Sequence, residues 1–289
     1  MISAVDKALQ SLNGLSVGDA FGQCFFSAPA RLIENRELPP GPWRWTDDTH
    51  MALSVVEVLR SYGRIHQDAL ACLFAERFMQ EPDRGYGGGA QKLLAMMYHG
   101  DYWKTVSPAL FNGGSFGNGA AMRAAPLGGF FSGDPERAAH EAQLSAVITH
   151  AHPEGQAGAM AVAAAAAIAA IPNHPVGRDF IKETLLFVPH GETRTGIEAA
   201  LDIAGDNRDE AVLRLGTGRR VSAQDTVPFC LWSAAYHLED FADALWWTVA
   251  GLGDRDTTCA IVGGIVSLSA TELPAEWFKR REPLPEIYG

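Results

Sequence analysis

Small and apolar side chains at helical spacing are the feature that most constrains the fold of this chain. At its start, Ile2, Val5, Leu9 and Leu12 follow one another at intervals of three and four residues, which places them on one face of a helix. The stretch 157–171 is mostly alanine, and side chains of that size let neighbouring helices approach closely. Runs of alternating β-branched residues, which would indicate strands, are missing. We therefore predict an all-α protein.

The same spacing predicts helices along most of the remaining chain. One is expected to begin near His50, and others to cover residues 66–80, 87–98, 119–126, 136–149, 154–171, 179–187, 193–204, 208–215, 225–237, 240–250 and 256–270. No repeat of fixed period and no linker rich in Pro, Ser or Gly divides the sequence. We predict a compact, orthogonal multi-helix single domain over residues 1–289, with its chemistry on the connecting loops.

Composition excludes several classes of function. The chain has 23 Lys and Arg against 34 Asp and Glu, a formal net charge of −11, which disfavours binding to DNA or RNA phosphates. Its four cysteines form no Cys-x-x-Cys pair, so neither a disulfide framework nor a thiolate zinc site is indicated. A signal peptide is not evident, and the alanine-rich stretch is too short and too weakly apolar to span a bilayer. We expect a soluble cytoplasmic protein that binds neither nucleic acid nor membrane.

Two short acidic stretches, residues 46–49 and 253–258, each stand ahead of a predicted helix. Both combine two aspartates with threonines. Carboxylates and hydroxyls set this closely are hard oxygen ligands, which Mg²⁺ requires and zinc does not favour. The alternative is that these residues only cap helices, for which Asp and Thr are also preferred. Two stretches of the same kind favour a cation site that folding completes.

Two glycine-rich segments are candidate substrate loops. Residues 113–119 lead into a predicted helix, and such a loop presents backbone N–H groups and a positive helix end to an anion such as a diphosphate. A flexible connector is the other interpretation. Residues 83–89 form a surface loop by default, although Tyr86 could stack on a base or sugar and Asp83 could reach a leaving group.

Two histidines and a carboxylate lie close together at residues 150–154. Zinc is disfavoured there because the other candidate ligands are hard oxygens. We expect a histidine of this tract to bind substrate or to cap a helix, with Pro153 at the first position of the next helix.

In chain order, these motifs resemble those of the ADP-ribosylglycohydrolase family, whose members include the dinitrogenase reductase-activating glycohydrolases. The resemblance rests on Gly14-x-x-x-Gly18-Asp19-Ala20-x-Gly22, residues 46–49, residues 117–126, Thr149-His150-x-His152-Pro153 and Gly253-Asp254-x-Asp256-Thr257. These motifs lie between residues 10 and 270, so the similarity covers nearly the whole chain.

The resemblance implies an all-α hydrolase that binds two Mg²⁺ ions and cleaves the C1″ glycosidic bond between ADP-ribose and a modified protein side chain. Its partners would be an ADP-ribosylated protein and ADP-ribose, and Mn²⁺ would be accepted by the same ligands. The implied metal ligands are Thr46, Asp47, Asp48, Asp254, Asp256 and Thr257. The predicted catalytic residues are Asp47, Asp83 and Asp254, and the predicted substrate-binding residues are Ser115, Gly117, Asn118, Gly119, Met122, Tyr86 and His150.

The sequence departs from the family pattern around the second acidic stretch. Leu252 stands where a glycine is common, and Arg255 replaces the small residue between the two acids. An arginine there could pair with a carboxylate and lower metal affinity. We expect its side chain to point outward instead, because the ligand residues are otherwise complete.

The type of side-chain linkage that is cleaved is predicted from a second departure from the family pattern. Serine-linkage members carry an acidic gate residue shortly after Gly-Asp-Ala, and here Phe25 and Phe26 occupy that neighbourhood. This favours arginine-linked ADP-ribose, although Glu34 and Glu37 lie in the same loop region. A non-catalytic ADP-ribose-binding or toxin-immunity protein and a metal-dependent nucleotide phosphohydrolase are the alternatives.

Overall fold

The chain folds into α-helices joined by short loops. A computed structural model describes residues 2–285, and over that range it contains sixteen α-helices, two 3₁₀ turns and no β-strand. The α-helices are α1 (Ala4–Cys24), α2 (Arg31–Glu34), α3 (Asp47–Tyr62), α4 (Gln67–Gln80), α5 (Gly88–Tyr98), α6 (Trp103–Ala109), α7 (Ala125–Phe130), α8 (Pro135–Ala146), α9 (Pro153–Ala169), α10 (Gly177–Leu185), α11 (Glu192–Ala200), α12 (Arg208–Leu215), α13 (Ala223–Tyr236), α14 (Phe241–Val249), α15 (Arg255–Val266) and α16 (Ala275–Arg280). The all-α prediction is confirmed.

Most predicted helices are found, with shifts of a few residues at their ends. Pro153 is the first residue of α9, and His152 caps this helix because its Nδ1 accepts the N–H of Glu154 at 3.2 Å. The sequence did not predict α2, α6 or α16. These helices have four, seven and six residues, too few to show an apolar stripe, and Pro108 lies inside α6.

The helix predicted over residues 119–126 is wrong. The chain forms a 3₁₀ turn at Asn118–Ala120 and begins a new helix, α7, at Ala125. Pro126 stands in the first turn of α7, where its missing N–H costs nothing. Just before it, the buried Arg123 donates to the carbonyl of Gly119 at 2.9 Å, which stabilises the bend between the two segments.

Close approach between helices is most pronounced where α1 crosses α15. A Cβ atom on Gly18 would lie 2.0 Å from the carbonyl oxygen of Cys259, and one on Gly22 would lie 2.1 Å from that of Arg255. The two backbones are therefore in contact, and any larger residue at either position would force them apart. This contact carries Asp19, one residue after Gly18, to the beginning of α15.

The C-terminal residues are attached beside the loop that precedes α3. The N–H of Trp43 donates to Arg280 O at 2.6 Å, and the N–H of Glu282 donates to Trp43 O at 2.8 Å. The rings of Trp43 and Trp277 pack on Phe21 of α1, with centroids 5.7 and 4.6 Å from the Phe21 ring. None of the described helices combines the length and apolarity that a bilayer span requires.

Candidate active site

The two acidic stretches meet at the N-terminal ends of α3 and α15. We name Thr46, Asp47 and Asp48 the first acidic cluster, and Asp254, Asp256 and Thr257 the second. Thr46 is the N-cap residue of α3, and Asp254 is that of α15. Helices α3 and α15 pack against each other, and burial together with the charges of Asp19 and Asp256 holds the pKa of Asp48 well above its usual range.

The N-cap residues of α3 and α15 do not cap these helices with their own side chains, which was the simpler interpretation of the sequence. No side chain of Thr46 or Asp254 bonds an N–H group of its own helix. Asp19 of α1 caps α3 instead, because its carboxylate accepts the N–H groups of Thr46 and Thr49 at 2.9 and 3.1 Å. It also accepts both threonine hydroxyls, at 2.8 and 2.5 Å. The carboxylates of Asp47 and Asp48 are thus left for another role.

The carboxylates of the site are crowded and largely shielded from water. Burial raises the pKa of Asp19 to about 6, and burial together with the charge of Asp19 raises the pKa of Asp47 to about 7. For Asp256, burial and the charge of Asp254 raise the pKa well above its usual range. Each charge makes the next harder to form, so a bound cation would relieve the repulsion.

The chemistry of these donors fits a hard divalent cation. All are carboxylate or hydroxyl oxygens, and Oδ1 of Asp48 is buried without a hydrogen-bond partner, which is costly unless a ligand is met there. Within residues 2–285, however, no group of three or more His, Cys, Asp or Glu side chains is arranged so that it could hold a metal ion. The oxygens have the right character, and their present arrangement is not a preformed ligand group.

The second cluster is held by neutral groups. The N–H of Asp254 donates to Thr217 O at 2.9 Å, and Asn118 Nδ2 donates to its Oδ2 at 2.7 Å. Asp256 Oδ1 accepts the N–H of Thr257 at 2.9 Å. Because Asn118 belongs to the glycine-rich loop, this loop is fixed to the second cluster by a direct hydrogen bond.

The glycine-rich loop lies against residues 218–222. The N–H of Gly117 is bonded to Ser115 Oγ at 3.1 Å, and that of Asn118 to Val221 O at 3.3 Å. A Cβ on Gly119 would lie 3.0 Å from the ring of His150, so this position needs a glycine. Met122 is buried, and its Sδ would lie 3.9 Å from a Cβ on Gly119.

His150 is buried behind the glycine-rich loop. Its Nδ1 lies 2.8 Å from Thr149 Oγ1, which also accepts a hydrogen bond from Arg123 Nη2 at 2.9 Å. Burial and the nearby charge of Arg123 lower the pKa of His150 to about 3, so its ring is neutral. The Nε2 edge faces Gly117 and Gly119, since a Cβ on either would lie 3.2 Å from it. This histidine is therefore aimed at the loop predicted to bind diphosphate.

The loop formed by residues 83–86 lies beside the first cluster. Gly85 has a φ of +95°, and a Cβ on it would lie 3.4 Å from Asp47 Oδ1. Asp83 is exposed at the edge of the site. The prediction that Tyr86 stacks on substrate is wrong, because the residue is only 3% exposed and its hydroxyl lies 2.9 Å from His50 Nδ1.

Arg255 lines a cavity of about 400 Å³ next to Asp254. Its guanidinium carbon lies 5.1 Å from the centroid of the Phe26 ring, which is 50% exposed. It forms no ion pair with any carboxylate of residues 2–285, as expected for a side chain that points away from the ligands. Phe25, by contrast, is buried against Phe21 with 4.9 Å between ring centroids.

Three residues that position the site were not assigned roles from the sequence: Asp19, Arg84 and Arg123. Asp19 carried a signal, because it stands between glycines that let α1 touch α15. Arg123 and Arg84 carried none, since arginine is usually exposed and both are buried here.

The chain matches one protein family over nearly its whole length. The family model described as ADP-ribosylglycohydrolase aligns with residues 2–288. A solved structure described as an ADP-ribosylglycohydrolase-related protein complex superposes with a TM-score of 0.63, covering 98% of this chain and 94% of that one. At 21% sequence identity, this likeness supports the fold.

Several relatives align over most of their own length. An uncharacterized protein of Archaeoglobus fulgidus is 27% identical, covering 98% of this chain and 94% of the relative. The ADP-ribosylhydrolase ARH3 of Homo sapiens is 26% identical over 94% of this chain and 89% of its own. The ADP-ribosylarginine hydrolase Tri1 of Serratia proteamaculans is 26% identical over 96% of this chain and 75% of its own.

Proposed function

Because this chain belongs to the ADP-ribosylglycohydrolase family and is a hydrolase of glycosidic bonds, we propose that it removes ADP-ribose from modified protein side chains with the help of Mg²⁺. The observation that carries the proposal is the meeting of the two acidic clusters, with the glycine-rich loop bonded to one of them through Asn118. This arrangement offers oxygen ligands next to a loop suited to an anion.

Two divalent ions, Mg²⁺ or Mn²⁺, would be held by Thr46, Asp47, Asp48, Asp254, Asp256 and Thr257. When bound, such ions polarise the ribose hydroxyls and lower the pKa of a water molecule. The buried Oδ1 of Asp48, which has no other partner, supports this assignment. Asp19 keeps the first cluster in place by holding the backbone of Thr46 and Thr49.

The residues of the chain would divide the remaining work. As the bond from C1″ to the leaving group breaks, positive charge develops on the sugar, and the carboxylates of Asp47 and Asp254 stabilise it. One of them takes a proton from the water whose oxygen bonds to C1″. Asp83, exposed beside the first cluster, gives a proton to the leaving-group nitrogen as the bond breaks, and proton exchange with solvent restores both carboxyl groups afterwards.

The diphosphate would lie on the glycine-rich loop. His150, kept neutral by burial, donates a hydrogen bond from its Nε2 edge, and Ser115 and Gly119 face the same anion. The N–H groups of Gly117 and Asn118 would exchange their present partners when the diphosphate arrives. Met122, buried next to Gly119, is the remaining residue proposed to bind substrate on this loop.

We propose the arginine linkage as the bond that is cleaved. Phe26 is exposed under Arg255 in the cavity next to Asp254, and by the family resemblance it lies in the neighbourhood where serine-linkage members carry an acidic gate residue. One relative is named as an ADP-ribosylarginine hydrolase, which supports the same choice.

The test is to incubate an arginine-ADP-ribosylated protein and a serine-ADP-ribosylated one with the enzyme, with and without Mg²⁺. Release of ADP-ribose from the arginine substrate, only with Mg²⁺, is the expected result. Faster release from the serine substrate would overturn the proposed arginine linkage. Release in the presence of a chelator would overturn the proposed Mg²⁺ dependence. Release of phosphate would indicate a nucleotide phosphohydrolase, and ADP-ribose binding without product a non-catalytic binder.

A further inference from the structure

Arg84 is a buried arginine next to the first acidic cluster. It is 6% exposed, and its guanidinium carbon lies 3.5 Å from the centroid of the Trp45 ring. Its Nη1 also donates to Trp45 O at 3.2 Å. Trp45 directly precedes Thr46, so Arg84 holds the backbone and the ring of the residue that leads into the first cluster.

Two carboxylates hold Arg84 in turn. The Glu282 carboxylate accepts hydrogen bonds from both terminal nitrogens of Arg84, with Nη1–Oε2 at 2.8 Å and Nη2–Oε1 at 2.9 Å. This bidentate geometry fixes the plane of the guanidinium. The Glu81 carboxylate accepts a hydrogen bond from Arg84 Nε at 2.8 Å. The side chain of Glu81 is 49% exposed and that of Glu282 is 31% exposed, so Glu282 makes the more sheltered contact.

Glu282 lies far along the chain from Arg84 and is itself anchored to the same loop. Its N–H donates to Trp43 O at 2.8 Å, two residues before Trp45. The backbone of Glu282 thus holds Trp43, and its side chain holds Trp45 through Arg84. We name Arg84, Trp45, Glu81 and Glu282 the Arg84 clamp.

The Arg84 clamp also fixes the loop of residues 83–86, which lies beside the first cluster. Arg84 stands between Asp83 and Gly85, and Gly85 lies against Asp47. Fixing the guanidinium therefore fixes two segments at once, the loop entering α3 and the loop carrying Asp83. Each bears a residue to which the proposed reaction gives a role.

We propose that Glu282 is a positioning residue for the reaction, which acts through Arg84 to set the first acidic cluster and Asp83 against each other. The inference rests on the proposed function, because it assumes that the first cluster binds a divalent cation. The C-terminal segment is, on this view, part of the active-site scaffold.

The test compares Glu282→Ala with Glu198→Ala. Glu198 forms a similar glutamate–arginine pair with Arg194 in α11, at 2.8 Å, and Arg194 also donates to backbone carbonyls, those of Leu185 and Val188, away from residues 43–50. Three quantities are measured: the Kd for Mn²⁺ from the loss of the free-ion electron paramagnetic resonance signal, kcat and KM for ADP-ribose release, and hydrogen exchange of a peptide covering residues 43–50. Glu282→Gln is a milder variant, should the alanine variant fail to fold.

For Glu282→Ala we expect Mn²⁺ affinity and kcat each to fall about tenfold, as for other groups that orient metal ligands from outside. Exchange in residues 43–50 should accelerate, while Glu198→Ala stays at the wild-type level. If the ion pair only stabilises the fold, its loss would lower the melting temperature, while kcat and Mn²⁺ affinity measured well below that temperature would stay unchanged. Unchanged exchange, or faster exchange with unchanged kcat and Mn²⁺ affinity, overturns the proposal.

The proposed function can fail separately from the clamp. If the wild-type protein neither binds Mn²⁺ nor releases ADP-ribose, the proposed function falls. The positioning role falls with it, and faster exchange in residues 43–50 would then show only that Glu282 holds the segment entering α3.

Discussion

The two acidic clusters look alike in sequence and are supported in opposite ways. The first is held by charged groups: the buried carboxylate of Asp19 accepts hydrogen bonds from four donor groups, and the Arg84 clamp holds Trp45, the residue before the cluster. The second is held by neutral groups, the carbonyl of Thr217 and the amide of Asn118. The first cluster therefore depends on distant parts of the chain, whereas the second shares its support with the proposed substrate loop.

The largest effect should come from neutralising one acid in each cluster. Asp47→Asn and Asp254→Asn should each abolish turnover, a fall of about a thousandfold or more, because each removes a charge that faces the developing positive charge on the sugar. ADP-ribose release with Mg²⁺ measures this effect.

The helices should stay folded in both variants, since removal of one repelling charge does not weaken the packing, and circular dichroism checks that point. Asp209→Asn is the control, because Asp209 also stands in the first turn of a helix and lies outside the site. Full activity of both active-site variants would remove the basis of the proposed mechanism.

Stability should separate the two clusters next. Asp19→Asn should lower the free energy of unfolding by about 3 kcal/mol, because an amide nitrogen would then face the N–H and O–H donors of Thr46 and Thr49. Asn118→Ala should cost about 2 kcal/mol, because Asn118 Nδ2 donates hydrogen bonds to both Asp254 Oδ2 and Thr226 Oγ1.

Urea unfolding measures both values. Asp134→Asn provides the control, since Asp134 caps α8 at the surface and asparagine caps equally well. Equal losses for Asp19→Asn and Asn118→Ala would mean that charged and neutral groups contribute equally to the stability of the two clusters. This would contradict the difference described above.

The pH dependence of stability should test the burial of His150 behind the glycine-rich loop, which is attached to the second cluster. The folded pKa of His150, about 3, lies below its ordinary value of 6.5. As pH falls below 6.5, the unfolded chain takes up a proton that the folded protein refuses, so stability is lost on acidification. Between pH 7 and pH 5 this loss should be about 2 kcal/mol, and His150→Gln should remove it.

Urea unfolding at the two pH values measures the difference between the variant and the wild type. His140→Gln is the matched control, because His140 is exposed on α8. If His150→Gln loses as much stability on acidification as the wild type does, the histidine is not held neutral behind the loop.

The sequence predicted the all-helical fold because apolar spacing and small residues are local signals. It placed Pro153 correctly for the same reason. It failed at residues 119–126, where a buried arginine bends the chain, and it could not show that Tyr86 turns inward to His50. Both depend on which distant residues become neighbours, as does the pairing of Arg84 with Glu282, almost two hundred positions apart.

The capping of α3 is another feature that depends on a distant residue and that the sequence did not predict. Thr46 and Asp47 have the composition of a cap, and no local pattern reveals that Asp19 performs this task from another helix. The tertiary contact is what leaves the acids of the first cluster without a capping role.

The smallest effect should come from Arg255, which lies within the sequence of the second cluster. Its guanidinium stands over Phe26 and forms no ion pair in the described part of the chain, so it should compete little with a cation. Arg255→Ala should raise Mg²⁺ affinity by less than about threefold, and less again at high salt, because only a screened charge near Asp254 is removed. Isothermal titration at two salt concentrations measures this, with Arg219→Ala as the control from the same cavity. A tenfold or larger rise would mean that Arg255 leaves the ring to pair with the second cluster, which would then be held by charge just as the first one is.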